Sequence, residues 1–250
     1  MKILALVLFG LVATSLAHAE EYPASEKFAH NYPVSAQAEF SLSNLNGSVK
    51  IIAWEKNEIA LEAEKRAFTA DDLPKILIKI DATPDHVTVE TEHQRAGWFG
   101  NRVKGEVRYT LHVPAGTHLR KIEAVNADIS IHDVHGEVIA STVNGNIEAQ
   151  AIAAAAKLST VNGNVEAEVA PADQKRVISV ETVNGNCKVV LASSLAANIH
   201  ASTVNGHLDC SLPLDHLKSS RNNLEGSFGK GVVATIKAET VNGDIAFDCL

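Results

Sequence analysis

A tetrapeptide, Thr-Val-Asn-Gly, recurs five times in the C-terminal half of the chain and constrains its fold more than any other feature. The copies lie at 142–145, 160–163, 182–185, 203–206 and 240–243. Degenerate copies lie at 124–127 and 223–226, and an outlying one at 44–47. Counted on the third residue, the series 126, 144, 162, 184, 205, 225, 242 has steps of 18, 18, 22, 21, 20 and 17 residues. A motif returning at about this period is typical of a repeat architecture.

The residues that follow each asparagine alternate between apolar and polar. In the copy at 142–145, for example, Ile147 and Ala149 lie three and five positions after the asparagine, and Asn146 and Glu148 lie between them. Alternation with a period of two predicts a β-strand with one buried face. The chain is therefore predicted to be all-β, with strands that stack from copy to copy.

The Asn-Gly pair itself allows two interpretations. It is a strong signal for a two-residue β-hairpin, but a hairpin would place Val143 opposite Asn146 and mix polar and apolar side chains on both faces. If Asn-Gly instead forms a corner and the chain continues, Val143 and Ile147 can both point inward. We predict the corner, with glycine supplying the backbone angles and asparagine tolerating the left-handed region.

Stacked corners would place the asparagines above one another in a hydrogen-bonded ladder. In the alternative, each asparagine satisfies only its own turn. The predicted turn ladder comprises Asn126, Asn144, Gly145, Asn162, Gly163, Asn184, Gly185, Asn205, Gly206, Asn242 and Gly243.

The first 19 residues have the three parts of a secretory signal peptide. Lys2 precedes an apolar run at 3–16, and Ala17-His18-Ala19 forms an Ala-x-Ala cleavage signal. The run is too short for an ordinary membrane-spanning helix, and no cysteine at the predicted cut supports a lipid anchor. We predict an exported protein of the periplasm or cell surface without a membrane span.

Charge and cysteine content narrow the possible partners. The chain has 22 basic and 30 acidic residues, an excess that argues against nucleic acid and against docking on anionic lipid. The alternation along the strands predicts that all three cysteine side chains point inward, namely those of Cys187, Cys210 and Cys249. Two of them on neighbouring stacked strands, Cys187 and Cys210, would lie roughly 8 Å apart, beyond the usual limit for a disulfide. Buried free thiols are expected, although a register slip could allow one disulfide.

The chain divides into four parts. After the signal peptide (1–19), an extended lead-in (20–35) precedes an N-terminal β module (36–116) and the β-solenoid repeats (117–250). In the module we predict strands at 39–43, 48–54, 59–63, 76–80, 86–91 and 107–113. Thr69 and Asp72 could cap one helical turn there, and the repeat pattern loosens between 213 and 232.

A search for chemistry finds no catalytic constellation, cofactor motif or metal motif. There is no nucleophile elbow, phosphate loop or dinucleotide fingerprint. His132 and His135 would point to opposite faces of a strand, so a surface pair is preferred over a metal site. Glu148 and Glu166 would stack with Lys188 in a column that we interpret as a solvated face, the alternative being a glycan groove or a pair of glycosidase carboxylates.

Trp98 and Phe99 lie between glycines on a polar loop. They could contact a glycan, a partner or a membrane surface. The preferred interpretation is that they fold back as a cap over the end of the stack, because a solenoid needs its end units covered.

These features together resemble a known family. The stretch Ser-Asn-Leu-Asn-Gly-Ser-Val-Lys-Ile at 43–51 is followed by Trp54, by Leu-His-Val-Pro-Ala-Gly at 111–116 and then by the serial repeats. The chain resembles, over 36–250, the bacterial putative-adhesin family of exported β-strand-repeat domains, related to autotransporter adhesin head domains. The resemblance implies a right-handed parallel β-solenoid and an envelope location, and it offers no catalytic residue.

From the residues and the resemblance we expect a non-enzymatic, exported envelope protein with a structural or interaction role. An envelope protein or a glycan is the expected partner. The alternative is a carbohydrate-active enzyme or glycan-binding protein on the same scaffold.

Overall fold

The computed structural model describes residues 22–95, 100, 103–171, 174–231 and 233–250. Within them the protein is all-β, with one short 3-10 helix at Ala70–Lys75. The strands are β1 (Ala24–Pro33), β2 (Glu39–Trp54), β3 (Glu58–Ala67), β4 (Ile76–Ala82), β5 (His86–His93), β6 (Gly105–Pro114), β7 (His118–His132), β8 (Val138–Asn144), β9 (Ile147–Ile152), β10 (Ala156–Asn162), β11 (Val165–Val169), β12 (Val177–Asn184), β13 (Cys187–Leu191), β14 (Ala196–Asn205), β15 (Leu208–Cys210), β16 (Asp215–Ser219), β17 (Asn223–Phe228), β18 (Val233–Asn242) and β19 (Ile245–Cys249).

The strand pairings form two series, because the chain passes from one series to the other at each corner, either between two strands or in the middle of β2 and β7. The first series runs β4, β5, the first half of β2, the first half of β7, β8, β10, β12, β18, β14, β17, β16. The second runs β1, β3, β6, the second half of β2, the second half of β7, β9, β11, β13, β19, β15. Pairing is parallel through the middle of both series and antiparallel at the ends, except that β15 pairs in parallel with β19.

The parallel register confirms the corner and excludes the hairpin in these copies. Asn144 of β8 pairs with Asn162 of β10, while Ile147 of β9 pairs with Val165 of β11. The chain therefore crosses from the first series to the second at each corner, and each strand pairs with the equivalent strand of the next copy. We call a repeat unit one strand of the first series, the corner that follows it and the next strand, which belongs to the second series; β8, its corner and β9 form one such unit.

The C-terminal repeat unit is stacked out of sequence order. β18 pairs with β12 on one side and β14 on the other, and β19 lies between β13 and β15. The unit of Cys187 and the unit of Cys210 are thus not neighbours, and the estimate of their separation from adjacent stacking was wrong. Because the copies carry the same motif, the order in which the units stack cannot be predicted from the sequence.

The N-terminal strands agree with the alternation in the sequence and differ in their joins. The predicted strands at 39–43 and 48–54 form one bent strand, β2, and the lead-in contains β1, which pairs antiparallel with β3. The helical turn at Ala70–Lys75 is present, but the side chain of Thr69 does not accept a hydrogen bond from a backbone N–H of this turn. Its hydroxyl instead donates to Asp72 Oδ2 at 2.8 Å. β2 pairs with both β6 and β7. Strand pairing therefore continues across the predicted boundary between the N-terminal module (36–116) and the repeats (117–250).

The core is one continuous cluster of buried side chains along the stack. Branched aliphatic and alanine side chains dominate it, and Phe40, Tyr109 and Phe247 are the largest fully buried members. All three cysteines are free, as expected; Cys187 is buried and Cys210 partly buried. Cys249 is exposed, contrary to its predicted inward orientation. β15 pairs with β19 only as far as Phe247, so Cys249 has a strand partner on one side alone, Leu191 of β13.

Candidate functional site

The threonine of each Thr-Val-Asn-Gly copy points into the core. Thr160 donates its hydroxyl to the Gly145 carbonyl at 2.9 Å, and Thr182 donates to the Gly163 carbonyl at 2.9 Å. The same bond recurs in every copy: Thr142, Thr160, Thr182, Thr203 and Thr240 are all buried and all donate to a corner carbonyl of the neighbouring unit. A buried hydroxyl is tolerated when it is hydrogen-bonded.

The valines consequently point outward, and the prediction that they face the core was wrong. Side chains alternate along a strand, so a threonine that points inward turns the next residue to solvent. Val143 is 39% exposed, Val161 is 40% exposed and Val204 is 61% exposed. The sequence-based interpretation treated the valine as the inward residue because it did not consider a partner for the threonine hydroxyl.

The asparagines are connected by side-chain hydrogen bonds along the surface of the stack. Asn162 Nδ2 donates to Asn144 Oδ1 at 2.8 Å, and Asn184 Nδ2 donates to Asn162 Oδ1 at 2.9 Å. In stacking order the series is Asn46, Asn126, Asn144, Asn162, Asn184, Asn242 and Asn205. The ladder therefore reaches Asn205 through Asn242.

The corner glycines lie where stacked backbones approach closely. A Cβ atom on Gly163 would lie 2.0 Å from the Gly145 carbonyl oxygen, and one on Gly185 would lie 1.9 Å from the Gly163 carbonyl oxygen. The corresponding contacts at Gly145, Gly206 and Gly243 are 2.1, 1.8 and 2.0 Å. Glycine is thus required by the contact between units as well as by the corner conformation.

A second ladder lies two residues after each asparagine, where the alternation predicts a column of polar side chains but not the hydrogen bonds between them. The backbone N–H of Asn146 donates to Asp128 Oδ1 at 2.7 Å, and the backbone N–H of Asn164 donates to Asn146 Oδ1 at 2.9 Å. The pattern continues to Asn186, Asp244 and His207. The recurrence of short side chains with an acceptor oxygen at this position was the available signal.

The outward valines form a continuous apolar stripe across neighbouring strands. We define the valine stripe, in stacking order, as Val125, Val143, Val161, Val183, Val241 and Val204. Six strands at a spacing of about 4.8 Å make the stripe about 24 Å long. Exposed apolar side chains are ordinary when scattered singly, whereas a contiguous row indicates a contact surface.

The stripe lines a groove of about 740 Å³, which we call the valine groove. Its second row lies two residues before each valine, on the same outer face, and consists of Glu123, Ser141, Ser159, Glu181, Glu239 and Ser202. Lys121 Nζ lies 3.1 Å from Glu123, and Lys157 Nζ lies 3.6 Å from Glu181. These lysines balance two of the carboxylates from outside the groove.

The other predicted features form no comparable site. His132 contacts Ser130 Oγ and Gln150 Oε1, and within the described ranges no group of three or more His, Cys, Asp or Glu side chains could hold a metal. Glu166 is paired with Lys188 at 2.8 Å on an exposed face, and this hydrogen bond raises the pKa of Lys188.

Two expectations concern residues outside the described part of the chain. Trp98 and Phe99, the predicted contact loop, fall there, as does the predicted signal peptide at 1–19. Among the residues that are described, no helix has the length and apolarity needed to cross a membrane.

Comparison with known proteins relates the chain to one family. Residues 121–247 match the family model Toastrack DUF4097. A "putative cell adhesion protein" from Clostridium sporogenes is 14% identical, with 91% of this chain and 100% of that chain covered and a TM-score of 0.54, and it shares the fold. A "putative adhesin" from Bacteroides fragilis is 11% identical (90% and 98% covered, TM-score 0.42). A "putative lipid binding protein" from Parabacteroides distasonis is 7% identical (90% and 96% covered, TM-score 0.34). Comparison with curated protein sequences found no match.

Proposed function

The chain belongs to the Toastrack DUF4097 family, and we propose that it is a non-enzymatic, exported envelope protein that binds a partner through the valine groove. In this proposal the repeat units form a right-handed β-solenoid whose regular outer face presents the groove. The name of the Clostridium sporogenes protein supports an adhesin-like role. The signal-peptide pattern at 1–19 supports export.

The outward orientation of the valine stripe is the observation that carries this proposal. The second row of the groove shows that polar side chains are accepted on the same face, since Ser141, Ser159 and Ser202 occupy it. Strand structure alone therefore does not require an apolar residue there. A row of exposed apolar side chains lowers its free energy by contact with another molecule.

A matched pair of variants on β12 tests the proposed surface. Val183 lies in the groove, whereas Val177 lies on the same outer face of the same strand, about 20 Å away along the chain, and both are exposed. We expect the Val183→Asp protein to lose cosedimentation with the envelope fraction of the producing cells, and Val177→Asp to retain it. Equal cosedimentation of both variants, with melting temperatures unchanged, would place the working surface elsewhere.

A further inference from the structure

We propose that the valine groove binds a neutral, extended, β-linked polysaccharide, with one hexopyranose ring over each strand. This inference rests on the proposed binding function of the groove and specifies its ligand. It follows from the spacing of the groove, from the chemistry of its edges and from its charge.

The spacing of the groove selects the kind of polymer. The valine stripe repeats at each strand, about every 4.8 Å, and one ring of an extended β-1,4-linked chain advances by nearly that distance. A peptide laid along the same line advances about 3.3 Å per residue, so its side chains lose register with the valines within a few strands. A polymer with one ring per strand can place an apolar C–H face over each of the six valines, with successive rings turned over.

The two edges of the stripe offer hydrogen bonds at the same interval. The asparagine ladder lies beside the stripe, one residue later in each unit and just outside the groove lining. The side-chain amide of Asn162 uses one N–H in the ladder, whereas a primary amide has two. On the other edge, Ser141 and Ser159 carry hydroxyls. A hexopyranose ring has an apolar C–H face for the valines and hydroxyls at its rim for both edges.

An acyl chain or a second copy of the protein fits these features less well. An acyl chain would cover the valines but would leave both polar edges without partners. A stable protein interface has a broad apolar core surrounded by a polar rim, whereas the stripe is one side chain wide.

The charge of the groove selects a neutral polysaccharide. Its lining includes the carboxylates of Glu123, Glu181 and Glu239 and no lysine or arginine among the described residues. Lys121 and Lys157 balance Glu123 and Glu181 from outside the groove, so an anionic polymer would meet uncompensated like charge at Glu239. Neutral hydroxyl groups can donate to the same carboxylates.

The test is calorimetric titration of the full chain with β-1,4-linked cello- and chito-oligosaccharides of two to eight rings. We expect the dissociation constant to fall with each added ring up to six and then to remain constant. α-Linked malto-oligosaccharides, whose chains curve, should not show this dependence. The Val143→Ser, Val161→Ser double variant should weaken hexasaccharide binding by about tenfold or more, and Val177→Ser should leave it unchanged.

The outcomes separate this inference from the function on which it rests. Binding that ignores chain length, or that survives the double variant, would overturn the assignment of the ligand. If no β-linked oligosaccharide binds while Val183→Asp still abolishes envelope binding, the ligand is wrong and the binding function of the groove stands. If Val183→Asp leaves envelope binding intact, the proposed function fails.

Discussion

The threonine hydroxyl under each corner determines which way the following valine points. Val161 is as apolar as a typical core residue and Thr160 is less so, yet Thr160 is buried and Val161 is 40% exposed. The Gly145 carbonyl accepts the Thr160 hydroxyl, which removes the cost of burying it. One satisfied hydrogen bond per unit thus orients the side chains of the groove.

Replacing Thr160 with valine should destabilise the protein although the side chain keeps its shape. The variant loses the donor to the Gly145 carbonyl, so we expect a decrease of about 1 to 2 kcal/mol in the free energy of unfolding. Chemical denaturation measures it. Thr235→Val on the outer face of β18 is the control and should change the free energy of unfolding little. If Thr160→Val also left this free energy unchanged, the hydrogen bond would not be what fixes the orientation of Thr160 and Val161.

Replacing Gly163 with alanine should be more damaging. The added Cβ atom would meet the Gly145 carbonyl oxygen at 2.0 Å, and relief requires the two units to separate. We expect a loss of about 3 kcal/mol or more in denaturant titrations. Position 127 occupies the equivalent corner position with alanine, so Ala127→Gly should cost far less. Similar losses for both variants would contradict the close-approach argument.

The three thiols should differ in reactivity. Burial, with a smaller effect from the Glu181 carboxylate, raises the pKa of Cys187 to about 12 from an ordinary value of 9.0. Cys249 is exposed, so alkylation at pH 8 followed by mass spectrometry should label Cys249 first and Cys187 only on unfolding.

The same raised pKa makes stability fall in alkali. The thiol of the unfolded chain ionises first as pH rises, so the contribution of Cys187 is complete below its ordinary pKa and is lost between about 9 and 12. The melting temperature should therefore fall less steeply over this range in Cys187→Val. Parallel curves for the two proteins would show that the thiol is not protected.

At the scale of elements, the sequence was sufficient for the strands and corners but not for the order in which units stack. Alternation after each asparagine predicts β9, β11 and β13, because a buried face requires it. β18 lies between β12 and β14 because of the order in which the copies stack. Since all the copies carry the same motif, the sequence pattern cannot distinguish one stacking order from another. The valine stripe was present in the pattern, and its direction depended on a carbonyl supplied by another unit.

Removing the C-terminal unit should disrupt more than the residues removed. β14 pairs with β17 and β18, and β15 pairs with β19, so truncation after Gly231 detaches β14, β15 and β17 from the stack. Hydrogen exchange should show lost protection over 196–210. A chain ending at Asp248 is the control and should retain it. Continued protection in the longer truncation would mean that β14 had moved onto β12.

At the scale of the molecule, a stack of equivalent repeat units should tolerate the loss of one whole unit. Residues 145–162 span one period of 18, and their deletion joins Asn144 to Gly163 within the same motif. Asn184 can then donate to Asn144, and β12 can pair with β8, because every unit presents the same contacts. We expect a folded protein with the parent's circular dichroism and a lower melting temperature.

The deletion also shortens the groove, so it tests the proposed ligand together with the fold. Val161 is lost and the stripe keeps five valines, so the oligosaccharide length at which the dissociation constant stops falling should drop from six rings to five. Deleting half a period, residues 145–153, should instead unfold the protein, since it breaks the alternation between the two series. If the whole-unit deletion folds but still discriminates up to six rings, the stripe does not set the length of the ligand.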